Sequence, residues 1–141
     1  MLNSVKQNGI IEDLDLLDAG ENQLTIKRIY DKFGALSMIQ VLNSNDEILK
    51  CMFYDENQRL TNMSLYNVKT GKEIKNITYR KDGRTISSIR EYNQETAKPL
   101  VTIFYKEDGK TISSKVKFDD QGQEATFSLY LDNGEIEVHN L

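Results

Sequence analysis

The sequence predicts an all-β fold, an antiparallel β-meander of about nine or ten strands with a helix or strap at its N-terminus. A tyrosine-led phrase recurs five times, beginning at Tyr30, Tyr54, Tyr79, Tyr105 and Tyr130, with spacings of 24, 25, 26 and 25 residues. A fixed period of this size is typical of repeat architectures, in which each unit packs on its neighbours. Regularly spaced turn residues and many Thr, Ile, Val and Tyr residues favour strands over helices.

Each repeat divides into two strands and two turns. The first turn follows the tyrosine and contains Asp82-Gly83, Asp108-Gly109 or Asn133-Gly134 in the last three repeats. These dipeptides suit the primed hairpin turns, which need positive φ at their central residues. The second turn follows another aromatic residue or a leucine and is longer and rich in Asn, Asp and Gly, at residues 42–46, 66–71, 92–97 and 118–122.

In the strand after each first turn, the apolar side chains lie on the same face in every repeat. Leu36 and Leu42 lie six residues apart, and the corresponding pair in the third repeat is Ile86 and Tyr92. An even spacing puts both members of a pair on one face of a strand. The third and fourth repeats have one additional residue, Thr85 or Thr111, before this pair, so we expect the insertion to lie in the turn.

The opposite face of the predicted sheet is apolar near its N-terminal end, where it includes Ile39, Val41, Met63 and Leu65. We expect the N-terminal segment to cover this face. In residues 10–17, Ile10, Leu14 and Leu17 have helical spacing, and Gly20 is a plausible stop, which predicts a helix; an irregular strap is the alternative. The predicted organisation is a single domain, 1–141, with a helix or strap at 1–23 and the repeat sheet at 24–141.

Composition narrows the function classes. The net charge of −4 argues against a nucleic-acid partner, because binding to phosphates needs a basic face. No run of 18 apolar residues is present, and Glu12, Asp13 and Asp15 interrupt any signal-like leader, which predicts a soluble protein without a membrane partner, the cytoplasm being slightly favoured. The single cysteine, Cys51, excludes an internal disulfide and is expected to be a small buried residue.

Residues for catalysis are scarce. The only histidine is His139, near the end of the chain, and a pair with Cys51 is an improbable nucleophile and base. Clustered Cys and His for zinc are missing, and the acids in the turns lack the regular ligand spacing of a calcium loop. Asp82 and Asp108 recur at equivalent turn positions, which is typical of structural residues. We therefore predict no enzyme activity, no metal and no cofactor.

Two resemblances accompany this pattern. The phrases at residues 79–86 and 105–112, with the intervening 91–98, resemble an uncharacterised repeat family of wall-less bacteria. Its units read Tyr-x-x-Asp-Gly-Lys-Thr-Ile followed by Tyr-Asn-x-x-Thr-Gly-Lys, and Ala97 stands where that family usually has glycine. The repeat is also loosely similar to MORN-type repeats. Both resemblances imply a β-hairpin array that serves as an interaction surface.

Two groups of residues are candidates for binding. Tyr54, Tyr79, Tyr105 and Tyr130 occupy equivalent positions and are expected to form a ladder, which is either structural or a recognition surface for a protein, peptide or glycan. The basic residues Lys75, Arg80, Lys81 and Arg84 are expected to meet near one hairpin tip and to attract an acidic protein surface, unless the acidic segment 12–21 neutralises them.

The predicted function is therefore a non-enzymatic protein-interaction module of a bacterium, such as an inhibitor or an antitoxin-like or immunity-type binder. A carrier of small apolar ligands is the alternative if the sheet closes into a barrel, and a hydrolase is a more distant one. Sequence alone decides neither the closure of the sheet nor the oligomeric state.

Overall fold

In a computed structural model, the chain forms one antiparallel sheet, described for the backbone of residues 2–7, 10–19 and 22–141 and for side chains from residue 23 onward. Every strand pairs with the next one along the chain, so the order in the sheet is the order in the sequence. The strands are β1 Leu2–Gln7, β2 Ile10–Ala19, β3 Asn22–Tyr30, β4 Leu36–Leu42, β5 Ile48–Tyr54, β6 Leu60–Tyr66, β7 Glu73–Tyr79, β8 Ile86–Tyr92, β9 Pro99–Tyr105, β10 Ile112–Phe118, β11 Glu124–Tyr130 and β12 Ile136–Asn140.

The predicted all-β meander is confirmed, with ten strands, β3 to β12, in the repeat region. The prediction of an N-terminal helix was wrong. Residues 10–17 belong to β2, which pairs with β3 from Ile11↔Tyr30 to Ala19↔Asn22. Period-two alternation in Asp13-Leu14-Asp15-Leu16 is the signal that outweighs the helical spacing, and pairing also satisfies the backbone groups along the edge of β3. The segment therefore extends the sheet in its own plane.

The sheet is a single layer. Among the described strands, contacts are made only between neighbours in the sheet, and no described strand lies across either face. Few side chains are buried as a result: Val41, Cys51, Ser64 and Thr102 retain 8%, 3%, 3% and 4% of their exposure. The accessible surface is 9395 Å², against roughly 7,400 Å² for a compact chain of this mass. The cover that we predicted for the face with Ile39 and Met63 is not provided by β1 or β2.

The nine turns between β3 and β12 have one left-handed residue each. In the first turn of the third repeat, the Gly83 N–H donates to the Arg80 carbonyl at 2.9 Å, and Gly83 has φ +73 whereas Asp82 does not have positive φ. Primed turns need positive φ at their two central residues, which Lys81 and Asp82 do not have, so the predicted primed turns were wrong. The Arg80 N–H closes the loop on the Thr85 carbonyl, which confirms that the additional residue lies in the turn.

Two rows of residues cross the sheet in direct register, one on each face. The apolar row consists of Ile39, Met52, Met63, Ile77, Ile89 and Ile103, on β4 to β9. The polar row, one residue along each strand and therefore on the opposite face, consists of Gln40, Cys51, Ser64, Asn76, Arg90 and Thr102. The alternation of β-strands thus separates two chemically different surfaces.

Candidate functional site

The four tyrosines predicted to bind a partner lie at the same end of the strands. Tyr54, Tyr79, Tyr105 and Tyr130 are the last residues of β5, β7, β9 and β11. Tyr54 and Tyr79 each follow a member of the apolar row by two residues, so the tyrosines share its face. Burial raises the pKa of the Tyr79 hydroxyl, and the Tyr54 hydroxyl raises it further.

The tyrosines do not stack on one another. One strand lies between successive members, which puts them roughly 10 Å apart, beyond the 4.5–7 Å of aromatic pairs. The residue opposite each tyrosine across its hairpin is aliphatic: Leu60, Ile86, Ile112 or Ile136. The result is a mixed row of Tyr alternating with Leu or Ile, rather than the aromatic ladder that we predicted.

The four predicted cations do not all meet. Arg80, Lys81 and Arg84 share the turn between β7 and β8, whereas Lys75 lies within β7, roughly 17 Å of strand away from Arg80. Lys75 forms an ion pair with Glu91 at 3.7 Å. Arg80 donates through Nη2 to the Tyr105 carbonyl at 2.8 Å and so links two repeats. Lys81 and Arg84 remain as exposed cations at the tip.

The acids of the turns are committed to backbone structure. The Asp82 carboxylate accepts hydrogen bonds from the N–H groups of Arg84 and Thr85, and Asp108 does the same in the next repeat. Hydrogen bonds from the Thr85 hydroxyl and these N–H groups lower the pKa of Asp82 to about 2, and Thr111 has the same effect on Asp108. In the described part of the chain, three or more His, Cys, Asp or Glu residues nowhere gather as metal ligands would.

The polar row is a site that sequence reasoning missed. Asn76 donates to the Ser64 hydroxyl at 2.9 Å, and Arg90 donates through Nε to the Thr102 hydroxyl at 2.8 Å. Ser64, Thr102 and Cys51 are the most buried side chains of the described sheet. The row has a different residue type in each strand, so only the register of the strands reveals it.

Aromatic side chains line the polar row on the side of the second turns. Tyr66 and Tyr92 end β6 and β8, and burial is the main cause that raises the pKa of each hydroxyl. Burial likewise raises the pKa of the Cys51 thiol, although hydrogen bonds to Tyr66 and Gln40 oppose the rise. Cys51 is buried, with 3% of its surface exposed, as the sequence predicted.

Two depressions open along the polar row. The larger, about 570 Å³, lies beside Cys51 and is lined by Met38, Gln40, Phe53, Tyr66 and Val68 among others. The smaller, about 220 Å³, surrounds Arg90 and is lined by Asn76, Thr78, Ser88, Tyr92, Thr102 and Phe104. The smaller depression is lined mainly by hydrogen-bonding side chains, whereas the larger one is lined by both polar and apolar side chains. Within the residues described, no helix has the length and apolar character to cross a membrane.

Comparison with known proteins places the chain in a family. The model of the family described as "Protein of unknown function (DUF2963)" matches residues 53–103 and 85–130, which together make up more than half of the chain. The chain belongs to this family. Among curated protein sequences, none matches it.

Solved structures provide distant likenesses. A point mutant of S. aureus TarM, in complex with fondaparinux, alpha-GlcNAc-glycerol and UDP, is 11% identical with a TM-score of 0.49 over 87% of this chain and 20% of TarM. A second TarM structure is 12% identical with a TM-score of 0.43, over 88% and 20%. The GtfA/B complex bound to UDP and GlcNAc is 13% identical with a TM-score of 0.32, over 90% and 24%. The chain thus spans about a fifth of the TarM chain, and likenesses this distant carry no argument about its function.

Proposed function

We propose that this chain is a non-enzymatic protein-interaction module whose partner packs on the face with the apolar row. The observation that carries the proposal is that six aliphatic or methionine side chains in direct register remain partly exposed on a single-layer sheet. A sheet normally buries its apolar face against a second layer. In this proposal, the partner supplies that layer.

The dimensions of the sheet support this proposal. Ten strands of about seven residues give each face an area of roughly 1,100 Å². A standard protein interface buries about 800 Å² on each partner. One face therefore suffices for a stable complex without further elements from this chain.

In this proposal, the tyrosines and two of the cations predicted from the sequence belong to the surface that the partner contacts. The apolar surface continues towards the ends of the strands through Tyr54, Tyr79, Tyr105 and Tyr130. Tyrosine contributes strongly to interfaces through its large apolar ring and polar tip. Lys81 and Arg84 would then lie at the rim, where exposed cations speed association with an acidic partner more than they strengthen the complex.

The alternative functions have less support. A carrier would need a closed sheet, but β1 and β12 stand at opposite ends of the strand order and do not pair. The depression of about 570 Å³ lies on the polar-row face rather than inside a barrel. We therefore do not propose the carrier or the hydrolase.

The test replaces two members of the apolar row and leaves the opposite face intact. The variant Ile77→Gln/Ile89→Gln places amides at the centre of the proposed interface, and Val116→Gln, on the polar-row face of β10, is the matched control. Sedimentation at increasing concentration measures self-association, and co-purification from the native cell measures other partners. Circular dichroism checks that the sheet is retained.

We expect the wild type and Val116→Gln to form the same complex, with a second copy or another protein, and the double variant to lose it. The proposal is wrong if the folded double variant keeps the complex, or if the wild type remains monomeric and retains no protein.

A further inference from the structure

Arg90 is held in a fixed orientation at the centre of β8. Its Nε donates to the Thr102 hydroxyl at 2.8 Å on the neighbouring strand. Its guanidinium also lies over the ring of Phe118, 5.4 Å from the centroid, as a cation–π contact. A hydrogen bond and an aromatic surface thus restrain a side chain that would otherwise have many rotamers.

The charge of Arg90 has no carboxylate partner among residues 23–141. The ion pairs of this part of the chain use other groups: Lys75 with Glu91, Lys106 with Asp132 and His139 with Glu137. Nε is occupied by Thr102, and the guanidinium also interacts with the Tyr92 hydroxyl. The two terminal nitrogens have several N–H groups, so donors remain for a ligand. Arg90 as a whole residue is exposed.

The depression beside Arg90 has the chemistry of a polar site. The side-chain amide of Asn76 donates hydrogen bonds to the Ser64 hydroxyl at 2.9 Å and to the Glu73 carboxylate at 3.4 Å. The hydroxyls of Ser88 and Tyr92 are further hydrogen-bonding groups in the lining, and Phe104 provides an apolar wall. The volume of about 220 Å³ corresponds to roughly seven water molecules. A group of the size of a side chain fits, whereas a large cofactor does not.

We propose that this depression binds a single carboxylate, with the terminal nitrogens of Arg90 as its main donors. A guanidinium binds the planar carboxylate through two parallel hydrogen bonds, and such charge-assisted bonds are about twice as strong as neutral ones. Glu73, which contacts Asn76 and the Tyr92 hydroxyl, already has a negative charge beside the site, and it opposes a doubly charged phosphate more than a single carboxylate. The carboxylate belongs either to a small free acid or to an acidic side chain of a protein.

This site lies on the polar-row face, opposite the apolar row, so its success or failure is independent of the proposed function. The probe is sodium acetate, titrated against sodium chloride of equal ionic strength, with two-dimensional ¹⁵N NMR of the whole chain as the readout. Arg90→Gln removes the charge and the donors, and Arg90→Lys keeps the charge without the planar fork. Lys110→Gln, which removes an exposed cation in a turn, is the matched control.

We expect saturable acetate shifts at Arg90 and at residues lining the depression, and we expect the same shifts in Lys110→Gln. Acetate affinity should fall at least about tenfold in Arg90→Gln, and it should also fall in Arg90→Lys. Shifts that persist in Arg90→Gln, or that fail to saturate in the wild type, would overturn the proposal.

A second titration distinguishes the two sources of the carboxylate. Glutamate with both backbone ends capped presents the group as a protein side chain does. If the capped glutamate gives the same shifts as acetate, the depression binds an acidic side chain of a protein. If only acetate binds, the site takes a small free acid. Either result depends on Arg90 and therefore supports the site.

Discussion

At the scale of single residues, the glycines of the turns have two separate roles. Gly83, Gly109 and Gly134 all have positive φ, between +72 and +90. A Cβ on Gly109 would lie 2.7 Å from Thr85 Cγ2 and 3.1 Å from the Ile86 nitrogen, whereas a Cβ on Gly134 would meet nothing within 4 Å. Conformational freedom explains all three glycines, and close packing of one repeat on the previous one explains Gly109 in addition.

The comparison of Gly109→Ala with Gly134→Ala separates these roles. We expect Gly134→Ala to destabilise the fold by about 1 kcal/mol through φ strain alone. Gly109→Ala should cost about 2 kcal/mol or more, because the new methyl group also crowds Thr85. Urea denaturation of both variants measures the difference. Equal losses would show that the turns of neighbouring repeats do not pack as closely as described.

At the scale of elements, nine turns connect β3 to β12, and each has one residue with positive φ. Three of these residues are not glycine: Asp46, Gln58 and Ala97, with φ of 61, 61 and 63. Gln58 compensates for its strain, because its side chain accepts a hydrogen bond from the Leu36 N–H at 2.9 Å and donates one to the Leu36 carbonyl at 3.0 Å. Ala97 has no side-chain hydrogen bond to offset the strain.

Glycine substitutions at these two positions should therefore have opposite effects. Ala97→Gly should stabilise the protein by about 0.5 kcal/mol, since relief of the left-handed strain exceeds the entropy that glycine loses on folding. Gln58→Gly should destabilise it by about 1 kcal/mol, because both hydrogen bonds to the preceding repeat are lost. Free energies of unfolding measured in urea test both signs. A stabilising Gln58→Gly would mean that these hydrogen bonds contribute nothing in solution.

At the scale of the whole molecule, the single layer has a thermodynamic consequence. Unfolding of a compact chain of 141 residues changes the heat capacity by at least about 1.7 kcal/mol/K, mainly because apolar surface becomes exposed. This sheet already exposes much of that surface, since only four of the described side chains are buried. We therefore expect a smaller heat-capacity change for the monomer.

Calorimetry at protein concentrations where sedimentation shows a monomer measures this quantity. A value at or above about 1.7 kcal/mol/K for the monomer would contradict the single layer. The same experiment at concentrations where a complex forms is the internal comparison, because burial of the apolar row should raise the heat-capacity change.

The sequence by itself determined the period, the strands of the repeats and the placement of their turns. It could do so because these features depend on local chemistry: positive φ at Gly83 and Gly109, and side chains that alternate along each strand. It also identified Ile39, Val41, Met63 and Leu65 as members of one apolar face. The segment at residues 10–17 was misread, because a short apolar stretch fits both a helical and an extended period, and the edge of β3 decided between them.

Tertiary structure alone decided what depends on register between strands. The pairing of Asn76 with Arg90 and of Arg90 with Thr102 assembles a polar row from residues whose types differ from strand to strand. The ion pair of Lys75 with Glu91 and the aliphatic residues that lie between the tyrosines follow from the same pairing. A repeat pattern specifies which residues recur, but the neighbour of each side chain lies on another strand, and its identity is set by hydrogen bonding between strands.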